Sequence, residues 1–454
     1  MSETERGLKR ELTARQMAMV AVGGSIGTGL LLASGAAMQL AGPAVVLTYA
    51  IGAAISFTVA MAMGEMSSVH PAAGSFGVYA DLYLNRWAGF IARYGYWFSV
   101  TIAVGSEVVA AATYMRHWYP GVAPVIWMIV FGLFLLVINL FSVGHYATFE
   151  YWFALIKVVT IFVFILGGAA LLVSGRVKAQ YVAGGSFAPK GWIAPLLAIS
   201  FGLYSFLGIE MVAISSGEAR SSQDVARATR TAFLMLATVY IGAMVVLVGL
   251  LPWQKAGVSE SPFVTAVSGI PGAASIMNFV VLTAALSGAN ATLYVTSRML
   301  FSLARSGYAP QPLGRLDRDG VPKSALLVSM IGIVLAIVLE VRTKNAYLYI
   351  INAALVGGMF AWLVSLAAHV RFRAEIPREQ LAGLPLRSPL GAVGSIAGFV
   401  AIVAAVACTW WVSQSSVAAK SAGFYLLILS VGYVLVRISE IKKSKSAAQG
   451  QGDK

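Results

Sequence analysis

Cysteine is almost absent. Cys408 is the single one in 454 residues, and it stands inside an apolar run. One thiol excludes a disulfide framework and any multi-cysteine metal site. Charge is scarce too: Asp, Glu, Lys and Arg make up 11% of the chain, where a soluble domain carries about a quarter. Such a chain cannot clothe a water-facing surface of its size. The four histidines, His70, His117, His145 and His369, fall near the ends of apolar runs without metal-ligand spacing, which reads as ordinary interfacial histidine. No Walker-type loop, HExxH pair or nucleophile elbow occurs, so direct ATP coupling and hydrolysis lack support. The chain reads as a protein without enzymatic activity, cofactor or metal. Residues 1–16 are polar and charged and predict no cleavable signal.

What the chain has is apolar sequence. Hydrophobic residues make up 59%, gathered in blocks such as 44–63, 125–141, 156–173, 234–251 and 392–407. Runs of ~17–25 apolar residues are the length that spans ~30 Å of hydrocarbon as a helix. In lipid the backbone is satisfied only by helices or closed barrels, and barrel strands would alternate in polarity, which these blocks do not. The expected fold is all-α and integral to a membrane. About twelve spans are predicted, at roughly 18–40, 43–65, 88–115, 123–141, 148–173, 193–215, 232–251, 274–303, 323–340, 345–370, 390–411 and 422–437. The net charge of +14 invites a nucleic-acid reading, but its distribution argues against one. With the N-terminus inside, about 21 of the 32 Lys and Arg fall in cytoplasmic segments and about eight outside, as topology demands. An even number of spans puts both termini in the cytoplasm. The stretch 218–230 reads as a short amphipathic helix or a solvated linker, and the Lys-, Ser-, Ala- and Gln-rich residues 442–454 as a disordered tail.

The first span reads MVAVGGSIGTGL over residues 19–30, with four glycines between Gly23 and Gly29. Each costs a helix about 1 kcal/mol relative to alanine. A break there frees backbone N–H and C=O groups at membrane depth, which is tolerated where they line a cavity or bind a ligand. The N-terminus of the second half presents donors suited to a carboxylate, with Ser25 and Thr28 beside them. Close packing of helices through small residues is the competing explanation. A second interruption falls in the sixth span, FGLYSFLGIE over 201–210, where Gly208 is followed by Glu210 inside an apolar run. An ionisable group at that depth faces protein or water. Interrupted helices five spans apart are the sequence signature of an inverted-repeat transporter site.

Several stretches carry a family resemblance. GGSIGTGLL at 23–31 resembles the first-helix signature of the bacterial amino acid transporter family, within the amino acid–polyamine–organocation superfamily. HPAAGSF at 70–76 resembles its first cytoplasmic loop, and FEYWFALIK at 149–157 the start of its fifth helix. SFLGIE at 205–210 resembles its sixth-helix break, and 287–322 its eighth helix and following loop. The resemblance implies a LeuT-type five-plus-five inverted repeat with broken helices 1 and 6 and two added C-terminal helices. The division is then a cytoplasmic segment 1–17, a first repeat 18–173, an extracellular loop 174–192, a second repeat 193–371, helices 11 and 12 at 389–438 and a cytoplasmic tail 439–454.

It further implies an α-amino acid held between helices 1 and 6. The substrate carboxylate would meet the backbone around Ile26, Gly27, Thr28 and Gly29 and the Thr28 hydroxyl. The ammonium would meet carbonyls near Ser25, Tyr204 and Leu207. Phe206 would cover the site as a gate, with Gly208 at the break and Glu210 beside the pocket. Lys157 resembles the helix-five lysine that replaces the cation of sodium-coupled relatives. Desolvation disfavours the charged form of a lysine, so a buried one can exchange protons near neutral pH. Glu107, deep in the third span, would pair with Lys157 or line the pocket, and Ser287 would help hold the cation-like position. Glu65 and Glu150 sit near span ends and read as interfacial. The expected function is proton-coupled amino acid uptake across a bacterial inner membrane. Amino acid exchange on the same fold is the alternative, and a membrane sensor that binds an amino acid is the reading of another class.

Overall fold

The computed structural model describes residues 12–72, 75–140, 143–317, 320–343, 345–412 and 416–452, with backbone alone for 143–151, 378, 417–419, 421 and 439–452. Secondary structure among them is helical apart from one isolated bridge between Leu12 and Ala219. Nine helices among the described residues have the length and apolar composition to cross a membrane, and Pro124–Leu140 and Ala422–Ile438 are shorter apolar ones.

The helical segments among the described residues group into twelve units in chain order, here called spans. Span 1 comes in three pieces, Ala14–Ser25, Thr28–Leu31 and Ala33–Ala41. Spans 2 to 5 are Val45–Val69, Arg86–Met115, Pro124–Leu140 and Val143–Val173. Span 6 is again in pieces, Ala194–Leu197, Ile199–Phe206, Met211–Ile214 and a 3-10 turn at Ser215–Glu218. Spans 7 and 8 are Ser222–Leu250 and Ala273–Arg305; span 9 is Lys323–Ser329 with Ile331–Arg342. Spans 10, 11 and 12 are Ala346–Glu375, Gly391–Cys408 and Ser416–Gly452. Helix starts follow local chemistry. Thr13 and Gln16 form a reciprocal capping box at span 1. Asn85 caps span 3 at the Ala88 amide (2.9 Å), and Ser221 caps span 7 at the Asp224 amide (3.1 Å).

That last cap corrects the sequence reading. Residues 222–230 are neither a separate amphipathic helix nor a linker, but the first turns of span 7. Span 12 likewise runs on to Gly452, through most of the stretch expected to be disordered. Ala, Lys and Gln are good helix formers, and no proline interrupts them there.

Hydrogen bonds gather the spans around two centres, which further bonds at the breaks link to each other. Spans 1, 2, 6 and 7 join through Tyr240 Oη donating to the Ser25 carbonyl (2.6 Å), Thr48 Oγ1 to the Pro195 carbonyl (2.9 Å) and Tyr49 Oη to the Gly29 carbonyl (3.4 Å). Span 3 organises the second group. Thr101 pairs with Thr296 of span 8 (2.6 Å), and Ser99 Oγ donates to the Ala354 carbonyl of span 10 (2.6 Å). Gly105 lets span 9 approach to backbone contact at Gly332. The apolar stretches of spans 3 and 6 are 78% and 83% buried, against 28% in spans 5 and 11. The former are the centre; the latter turn Val163, Leu166, Val393 and Val400 outward as a lipid-facing surface. The N-terminal segment and the Arg-rich links between spans 6 and 7 and between spans 10 and 11 share one end of the bundle, here termed the basic face. There the Leu12 amide donates to the Glu218 carbonyl at 2.9 Å and the Arg220 amide to the Leu12 carbonyl at 3.1 Å.

A Cβ at Gly105 would stand 2.6 Å from the Gly332 carbonyl oxygen and 2.8 Å from the Ala336 Cβ. Gly105→Val is therefore expected to destabilise the protein by roughly 1–3 kcal/mol or more, as overpacking does. Leu133→Ala, on the lipid-facing side of span 4, should leave the melting temperature in detergent unchanged. Thermal unfolding of the two variants beside the wild type checks the pair.

Candidate functional site

The break in span 1 leaves two helix ends facing each other in the middle of the bundle, and several of the backbone groups they free meet side chains of other spans. Lys157 Nζ of span 5 donates to the Gly23 carbonyl at 2.9 Å. Tyr240 takes the Ser25 carbonyl, and Tyr347 Oη of span 10 donates to the Thr28 carbonyl at 2.8 Å. On the other side of the break the Thr28 amide donates to both oxygens of Glu107 of span 3, at 3.2 and 3.3 Å, and the Thr28 hydroxyl donates to Oε1 at 3.1 Å. An amine thus stands at the C-terminal end of the first half-helix and a carboxyl group at the N-terminal end of the second. This is the arrangement that the two helix dipoles favour. Gly27 lies directly over the carboxylate: a Cβ there would come within 2.5 Å of Glu107 Oε1.

The break in span 6 is built on Gly208, whose φ of +111° is open to glycine and strained for other residues. It also lets span 6 lie against Ser25, since a Cβ would stand 2.6 Å from the Ser25 hydroxyl. Glu210 follows, fully buried. Trp362 Nε1 of span 10 donates to its Oε2 at 3.1 Å, and the Tyr96 hydroxyl and the Gly208 amide also point at the carboxylate.

Between the breaks lies a cavity of about 50 Å³. Ser25, Gly27 and Gly29 line it from span 1, Tyr204, Leu207, Gly208 and Glu210 from span 6, and Glu107 from span 3. Two carboxylates border it, and among the described lining residues there is no basic side chain. The Ser25 hydroxyl, buried at the wall, has no hydrogen-bond partner among the described residues. The hydroxyl of Tyr204, at the wall, pairs with Ser106 of span 3 at 2.7 Å.

The remaining sequence-named residues lie outside this wall. Thr28 stands behind it, held by Glu107. Ile26 points into the core, fully buried. Lys157 borders a second, smaller cavity with Thr160 and Phe263. Ser287 is buried on span 8. Phe206 is not over the cavity: its ring packs on Tyr240 at 4.9 Å, toward span 7. Residues two apart on a helix project about 200° apart, so once Tyr204 faces the cavity, Phe206 cannot. Glu65 and His369, read as interfacial, are both fully buried and paired with each other. The side chain of Glu150 lies outside the described residues. Sequence reasoning missed Tyr96, Ser99, Val100 and Ala103 of span 3, Met211 of span 6 and Thr292 of span 8, which complete the wall, and Trp362 and Tyr347, which hold its two breaks. Helical periodicity places Tyr96, Ser99, Val100 and Ala103 on the face that carries Glu107, a signal available before the fold was known.

A family model for amino acid permeases matches residues 16–449. The chain belongs to the amino acid permease family. Among curated relatives, a gamma-aminobutyric acid permease of Bacillus subtilis (strain 168) is 35% identical over 397 residues, 85% of each chain. A probable threonine/serine transporter of the same organism is 32% identical over 458 residues, 97% of this chain and 99% of the relative. An aromatic amino acid transport protein of Salmonella typhimurium (strain SL1344) is 34% identical over 440 residues, 94% and 95%. Membership places the permease among multi-pass membrane transporters rather than enzymes and agrees with the all-helical architecture.

Glu210→Gln keeps the volume of this buried group and removes its charge. Hydrogen bonds to charged groups contribute about 1.5–3 kcal/mol. Amino acid uptake is expected to fall by roughly tenfold or more while the amount of folded protein in the membrane stays the same. Uptake and detergent-extracted yield, measured together, check this outcome.

Proposed function

We propose that the permease carries an α-amino acid across the bacterial inner membrane by alternating access, coupled to protons, with both termini cytoplasmic. The observation that carries the reading is the charged pair at the span 1 break, with Lys157 on the Gly23 carbonyl and Glu107 on Thr28. The breaks in spans 1 and 6, five spans apart, support a five-plus-five repeat with the substrate between them.

In this reading Glu107 occupies the seat intended for the substrate's carboxylate. The substrate displaces it and takes the Thr28 amide and hydroxyl. A proton taken up by Glu107 weakens its hold on Thr28 and frees the seat, so proton and substrate enter together. The ammonium group lies toward Ser25, whose hydroxyl has no other described partner, and toward the carbonyls near Tyr204 and Leu207. Its positive charge also suits a cavity bordered by Glu107 and Glu210. The substrate's side chain projects toward Ser99, Val100, Ala103 and Thr292. The relatives' names give gamma-aminobutyric acid, threonine/serine and aromatic amino acids as substrates. Differences at such wall positions are what would set one member's choice.

Lys157 supplies the conformational part of the coupling. Protonated, it holds span 5 to the first half of span 1, as a bound cation would. Deprotonated, it loses that contact, and the two helix groups rock. Basic residues concentrated at the end of the bundle that carries the N-terminal segment support a cytoplasmic position for that end.

Two variants test the proposal. Lys157→Ala should lower accumulation driven by an inside-alkaline gradient in proteoliposomes by at least about tenfold, and sodium should not restore it. Substrate binding should survive, since the lysine stands behind the cavity wall. Equal gradient-driven accumulation by wild type and variant would remove Lys157 from the coupling. Strict sodium dependence of the wild type would remove proton coupling altogether. Glu107→Gln, which mimics the protonated acid, should bind substrate with an affinity that no longer changes between about pH 5 and 8, while wild-type binding strengthens as pH falls. Calorimetric titrations across that range compare the two.

A further inference from the structure

A second buried charge cluster lies away from the cavity, near the basic face, and the transport reading gives it no part. Glu65, about one turn before the end of span 2, is fully buried. Its Oε2 accepts from His369 Nε2 at 2.9 Å, from Arg373 Nη2 at 2.7 Å and from the Ser388 amide at 3.0 Å. The same Arg373 nitrogen lies 2.7 Å from Oε1 and donates to the Ser388 carbonyl at 3.1 Å. His369, fully buried as well, pairs through Nδ1 with Ser395 Oγ at 2.7 Å and stacks its ring on Phe372. One carboxylate therefore gathers span 2, span 10, the link before span 11 and span 11 itself.

These partners come from both helix groups. Span 2 is tied to spans 1 and 6 through Tyr49 and Thr48, while span 10 is tied to span 3 through the Ser99 bond to Ala354 and reaches spans 1 and 6 through the single bonds of Tyr347 and Trp362 at the breaks. Alternating access moves one group against the other. Any such motion must either pass through this cluster or break it. Breaking it would strip a fully buried carboxylate of an arginine, a histidine and a backbone amide at once. Removing one partner of a buried ion pair is already strongly destabilising. A contact of that kind is too costly to open in every cycle. We infer that the Glu65–His369–Arg373 cluster is the pivot of the transport motion: span 2 stays fastened to span 10 here in every conformation, and the two groups rotate about this point. The contacts at the breaks, Glu107 with Thr28 and Tyr204 with Ser106, lie away from the pivot and are made and lost.

The inference rests on the transport reading above, and the test separates the two. Met66 of span 2 and Ala368 of span 10 belong to one buried cluster beside Glu65. Met66→Cys with Ala368→Cys, in a Cys408→Ser background, are joined by a reducible thiol cross-linker, and amino acid counterflow is measured before and after reduction. Should that pair fail to fold, Val69→Cys with Phe372→Cys, from the same cluster, takes its place. A pivot predicts counterflow within about twofold in the cross-linked and reduced forms. Counterflow abolished by the cross-link and restored by reduction would overturn it, since a contact that must open cannot be tethered. As a second readout, Glu65→Gln should slow counterflow per folded molecule at least about fivefold, with substrate affinity within about twofold of wild type. Ser395→Ala, a milder change, should shift turnover in the same direction. An unchanged turnover per folded molecule in both variants would reduce the cluster to a packing element. A wild type without amino acid counterflow would count against the transport reading itself, not against the pivot.

Discussion

The permease depends on how an interrupted helix is satisfied where water is scarce. Span 1 stops at Ser25 and resumes at Thr28, and its free carbonyls and amides must find partners inside the protein. The partners come from four other spans: Lys157 from span 5, Glu107 from span 3, Tyr240 from span 7 and Tyr347 from span 10. The break is therefore also a junction. It brings an interrupted backbone, a lysine and a carboxyl group together beside a cavity.

The two acids at the cavity differ in how they are held, and that difference separates their roles. Glu210 accepts the Trp362 indole N–H on the far side of the span 6 break, with the Tyr96 hydroxyl beside it. Of these two partners, Tyr96 lines the cavity and Trp362 stands outside the wall. Glu107 is held by Thr28, whose amide and hydroxyl are the donors an incoming carboxylate would claim. In the proposed mechanism one buried acid braces the site while the other exchanges with the ligand.

Much of this was legible in the sequence because local composition encodes it. The glycines of 23–29 mark a helix that cannot run straight, Gly208 marks the second break, and an isolated Lys157 or Glu210 in an apolar run must meet something polar. What was not legible is pairing across the chain. Glu65 and His369 each sit near a span end and look interfacial alone, yet 304 positions of sequence separate two groups that bury each other. Glu107 was placed near the pocket, but no pattern told that its carboxylate would rest on Thr28. Phe206 failed for a geometric reason, since motif resemblance carries no helical phase and Tyr204 took the inward face. The helix that begins at Ser222 was masked by charged residues that lie beyond the membrane but continue the same helix.

The central claim is that substrate carboxylate and Glu107 compete for Thr28. The most direct measurement is a substrate-bound structure by electron cryomicroscopy at a resolution that separates side chains. The account predicts ligand carboxylate density at the Thr28 amide and hydroxyl, with the Glu107 side chain swung off that seat. Ligand density elsewhere in the cavity, with Glu107 still hydrogen-bonded to Thr28, would contradict it.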